Sequence, residues 1–71
     1  METVKAQEIS NKLSNILSDL DSTLHFIMEN CSEDEFNQYR DAIGRVMGCL
    51  VLDVMNPLFA TNPEVIPDNF R

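Results

Sequence analysis

The sequence predicts an all-α protein: an antiparallel two-helix hairpin with a short C-terminal helical turn or tail, dimerising into a four-helix bundle. Three observations predict it. Two apolar stripes recur at helical spacing, a capped break separates them at residues 30–32, and the second helix carries more apolar surface than one neighbour can cover. Seventy-one residues make room for a single domain, 1–71, with no second domain and no internal repeat.

Helix 1, about residues 4–29, places Ile9, Leu13, Ile16, Leu20, Leu24 and Ile27 at steps of three and four, the period of one helical face. Leu17 and Met28 widen that stripe. Asn11, Ser14, Ser18, Ser22, His25 and Glu29 occupy the opposite face, so the helix is amphipathic and needs one neighbouring surface. The turn at residues 30–32 is signalled by Ser32 as N-cap with Glu35 three residues on, the capping-box spacing, and by Cys31 and Phe36 placed for a hydrophobic staple. Glu33, Asp34 and Glu35 add negative charge at the positive end of the helix dipole. So short a connection folds two long helices back on each other.

Helix 2, about residues 33–56, offers Phe36, Tyr39, Ile43, Val46, Leu50 and Val54 as the face toward helix 1. On another side lie Gly44, Gly48, Val51, Leu52, Met55 and Phe59. Each glycine costs roughly 1 kcal/mol relative to alanine inside a helix, a cost that close approach of another helix would offset. These six residues are therefore the expected dimer interface, since a hairpin of this size buries too little alone. The competing arrangement folds Leu58, Phe59, Val65, Ile66 and Phe70 of the 57–71 tail over the same side. Asn56-Pro57 is expected to end or kink the helix. Asn62-Pro63-Glu64 opens a short helix before Pro67, and residues 68–71 are expected to fray.

Twelve acids against five Lys and Arg give a net charge of -7 and a pI near 4.3. That charge repels phosphate backbones and anionic lipid, so neither nucleic acid nor membrane is an expected partner; a second copy of the chain is, together with another protein whose surface is basic. The first residues lack the pattern of a secretory signal, and no later stretch reads as long and apolar enough to span a bilayer. Two cysteines about 27 Å apart along the hairpin cannot join within one chain and suit a reducing, cytoplasmic setting.

The chemistry-bearing residues are few. Asp21, His25 and Glu29 form an i, i+4, i+8 row that could share a divalent cation or a proton, but on a polar face where such rows arise by chance. Asp53 stands in the most apolar stretch, at the edge of the hairpin face, with Arg45 two turns earlier as a partner across a dimer. One histidine, no phosphate loop and no nucleophile–base pair predict a non-enzymatic protein without a cofactor. The expected function is a small acidic interaction or regulatory module acting as a homodimer. The alternative is a helical bundle that binds a small ligand or metal through Asp53, Tyr39 or the Asp21-His25-Glu29 row.

Overall fold

Two long helices joined by a two-residue reversal form the body of the molecule, seen in a computed structural model that describes residues 1–70. Helix α1 runs Thr3–Asn30 and helix α2 Glu33–Cys49, antiparallel, with no strand among the described residues. The molecule measures 45 × 18 × 17 Å, the length of its 28-residue first helix at about 1.5 Å per residue.

The reversal follows from local chemistry. Cys31 closes α1 by donating its N–H to the Ile27 carbonyl at 2.9 Å, then turns extended. Ser32, also extended, accepts the Glu35 N–H on its Oγ at 3.2 Å, while its own N–H donates to Glu35 Oε1 at 3.1 Å. The capping box is complete, and two helix-start donors find acceptors. The same contacts hold the Glu35 carboxyl below the ordinary glutamate range, the Ser32 backbone N–H first and its hydroxyl second.

The second helix does not stop at Asn56-Pro57. A π-helical segment, Leu50–Met55, continues α2 and leads into α3, Asn56–Thr61, so one helix runs from residue 33 to residue 61. Asn56 stays helical at φ −60°, ψ −44° and donates to Val51, five residues back. Proline in an α-helix lacks a donor and crowds the carbonyl four residues earlier; the wider turn before Pro57 relieves that crowding, so the expected break is absorbed.

The helix ends at Asn62, whose side chain is buried and donates to the Leu58 carbonyl at 3.1 Å. Beyond it the expected helix is a single 3₁₀ turn, Pro63–Val65. Asp68–Phe70, expected to fray, forms a second such turn closed by Phe70 N–H on the Pro67 carbonyl; Arg71 lies outside the described residues. The tail thus folds back on the open end of the hairpin. Ala6, Met55, Leu58, Phe59 and Val65 form the core there, flanked by Leu13, Leu17, Leu50, Val51, Ile66 and Phe70. Phe59 and Phe70 stack obliquely with centroids 5.7 Å apart. The buried Ser10 hydroxyl donates to the Val65 carbonyl at 2.9 Å and pins the tail to α1.

The seam of the hairpin differs in phase from the expected one. On α1 it follows Ala6, Ser10, Leu13, Leu17, Leu20, Leu24 and Ile27, all buried or half-buried, while Ile9 and Ile16 are exposed. On the second helix Phe36, Ile43, Met47, Leu50, Val51 and Met55 turn inward, whereas Tyr39, Val46 and Val54 do not. Both helices are rotated in the same sense, because the small Ala6 and Ser10 let the bulky Met55 and the tail seat against α1.

Ser32→Ala should cost about 1 kcal/mol and lower the melting temperature by roughly 4–8 °C in a thermal melt. Because the Glu35 pKa is depressed on folding, its contribution is present at neutral pH and is lost as the pH falls through and below the ordinary glutamate range; Ser32→Ala should flatten that acid arm. Ser10→Ala leaves the buried Val65 carbonyl without its donor and should cost about 1–3 kcal/mol by urea titration, despite alanine's better helix propensity.

Candidate functional site

An antiparallel pair of helices has two lateral sides, and here they differ. At about 100° per residue, Ser14, Ser18 and Asp21 of α1 and Gly44 and Gly48 of α2 project to one side of the seam, the side the tail partly covers. There, Ser14, Leu17, Ser18, Asp21, Met47, Asn69 and Phe70 line an open cleft of about 300 Å³. The Ser14 Oγ is buried at its floor without a hydrogen-bond partner among the described residues, although Ser14 reads from sequence as a solvent-facing residue. Phe70 and Asn69 reach this cleft because the tail folds back, the competing arrangement expected for Leu58, Phe59, Val65, Ile66 and Phe70.

Of the six residues expected at a dimer interface, Met55 and Phe59 lie in the chain's own core, at 0% and 7% exposure. The tail occupies the surface they were expected to offer a second chain. Val51 is half-buried against the same core, and Leu52 is exposed. Gly44 and Gly48 meet open space: among the described residues, and apart from the backbone of its own helical turns, a Cβ added at either would have no atom within 4 Å. The chain's own helices therefore do not account for these glycines by close approach.

The row on α1 closes only in part. His25 Nδ1 stands 3.6 Å from Asp21 Oδ2, both well exposed, and Glu29 makes no ion pair among the described residues. No group of three His, Cys, Asp or Glu among the described residues is placed to hold a metal ion. Asp53 is exposed and not buried in apolar surroundings, because the chain's apolar core lies on the other side of that helix. Tyr39 is exposed and does not line the cleft, and Arg40 lies 6.0 Å over the ring of Phe36. Asp21 joins the cleft; Asp53, Tyr39 and Glu29 do not. Cys31 and Cys49 are both free and exposed.

One property escapes a reading that ends the helix at Asn56. The continuous helix from Glu33 to Thr61, 29 residues, is long and apolar enough by length and composition to cross a membrane, with a mean hydropathy of 1.4 over its most apolar 18-residue window. Only 17% of that window is buried. No family model, no curated protein and no solved structure matches this chain.

Gly48→Ala places a methyl group in open space and improves helix propensity, so it should stabilise the fold by roughly 0.8–1 kcal/mol in a urea titration. A destabilisation instead would mean that another surface approaches Gly48 in solution.

Proposed function

We propose that this chain is a small acidic, non-enzymatic interaction or regulatory module that acts as a homodimer in the cytoplasm. The observation that supports this reading is the exposure of the continuous helix from residue 33 to residue 61: its α2 part contains no buried residue, and only 17% of its apolar 18-residue window is buried. Isolated exposed hydrophobics are ordinary on a protein surface, but an apolar helix left this bare is a surface that seeks a protein partner. Lipid is the less suitable environment. Helix α1 lies along the same helix and would carry Glu8, Lys12, Asp19 and Asp21 to the same depth, at several kcal/mol per charge.

The dispersal of the chemistry-bearing side chains supports a binding role over a catalytic one. His25 sits beside an exposed carboxylate, and both thiols stand alone on the surface, which suits a reducing compartment. A net charge of -7 favours a basic surface on any further protein partner. The second reading, a bundle that binds a small ligand, is favoured by the 300 Å³ cleft and the unpartnered Ser14 hydroxyl at its floor.

Light scattering at micromolar concentration should give twice the 8.1 kDa chain mass. A monodisperse monomer would overturn the homodimer. Melting with and without Zn²⁺ or Mg²⁺ should show no shift that depends on His25; a rise of several degrees abolished by His25→Ala would favour the ligand-binding reading.

A further inference from the structure

The lateral side opposite the cleft carries five of the exposed apolar residues that the hairpin seam leaves out. On α1, Ile9 and Ile16 lie about 60° from the seam; on the second helix Tyr39, Val46 and Val54 lie off it by a similar angle. Because the helices are antiparallel and both rotated in the same sense, all five project to one flank, and all five are exposed. Counted outward from the turn, they fall in register. Ile9 is level with Val54, Ile16 with Val46, and Tyr39 with Thr23, in layers about 10 Å apart. The spacing is seven residues from Tyr39 to Val46 and eight from Val46 to Val54, and the π segment between them supplies the extra residue.

We infer that this flank, and not the glycine-bearing side, is the surface on which a second copy of the chain docks, with the two-fold axis along the length of the hairpin. The inference rests on the homodimer reading and names its interface. Such an axis lays α1 of one protomer over the second helix of the other, so that every neighbouring pair is antiparallel and like layers meet: Ile9 against Val54, Ile16 against Val46. A four-helix bundle results.

The area favours a second copy. A chain of 8.1 kDa folded as a compact monomer exposes about 4,500 Å², whereas this one exposes 5058 Å². Its radius of gyration, 14.3 Å, likewise exceeds the roughly 11 Å of a compact chain of this length. The excess, roughly 550 Å² per chain, approaches the ~800 Å² per partner of a standard stable interface. Charge is also complementary despite the net -7. Lys12 borders the flank on α1 and Asp53 borders it on the second helix, at nearly the same level, and both are exposed. The two-fold axis brings Lys12 of each protomer beside Asp53 of the other.

The test is sedimentation equilibrium on the full chain and on single variants, with circular dichroism to confirm helicity. Val46→Glu and Ile16→Glu should weaken the dimer roughly 100-fold or more, because each would bury an unpaired carboxylate, while Leu52→Glu and Gly48→Leu should leave it intact. Lys12→Glu and Asp53→Lys should each weaken association about 3- to 10-fold, and the double variant should recover it. A wild-type dimer that survives Val46→Glu and Ile16→Glu, or that is broken by Gly48→Leu, would overturn this interface and leave the homodimer standing. A wild-type monomer would overturn both, and its partition onto phosphatidylcholine vesicles would identify lipid as the occupant.

Discussion

The structure depends on how the two helices are fastened at the end away from their turn. Ala6 and Ser10 are fully buried, and their small side chains admit the Val65 turn and the Met55 side chain against the α1 backbone. The Ser10 hydroxyl supplies the one polar requirement of that contact, an acceptor-directed proton for the Val65 carbonyl. With the tail held there, Phe70 reaches Phe59 and one lateral side of the hairpin is closed over. Without it, Met55, Leu58 and Phe59 would face water together, and the seam would have no reason to adopt its observed phase.

That phase was the least legible feature of the sequence. Leu13, Leu20, Leu24 and Ile27 belong equally to a stripe centred on Ile9 and Ile16 and to one centred on Leu17, since steps of three and four generate neighbouring stripes that share residues. An apolar count prefers the first, because Ala6 and Ser10 contribute little to it. Packing prefers the second, because volume and not hydrophobicity decides which side chain fits under Met55. The capped reversal at Ser32 was legible for the opposite reason: the Ser32–Glu35 exchange is local, and no distant contact competes with it.

The proline shows how a local rule yields to a longer helix. Asn56-Pro57 breaks an α-helix only if the preceding turns keep α geometry, and Leu50–Met55 do not. The wide turn also rephases the residues on either side of it. Met47, Val51, Met55 and Phe59, spaced by fours, would drift around a regular α-helix by roughly 40° at each step; the π turns cancel that drift, so the four stay turned toward α1 and the tail. The sequence contains no marker for such a segment beyond the proline itself, which is why the unbroken continuation of the helix goes unread, whereas the burial of Phe59 under a folded-back tail was legible as the competing arrangement.

The two lateral sides of the hairpin therefore have different fates in the same fold. One receives the tail, which consumes Met55 and Phe59 and leaves a shallow polar-floored cleft beside Ser14. The other receives nothing from the described residues of the tail, and there Ile9, Ile16, Tyr39, Val46 and Val54 remain exposed in layers. An acidic chain is not barred from pairing through such a surface, because net charge acts at long range and is screened within about 8–10 Å in physiological salt, whereas contact depends on the groups at the rim. At this rim, Lys12 and Asp53 are of opposite sign and on opposite helices, which is the arrangement that a two-fold axis converts into two intermolecular pairs.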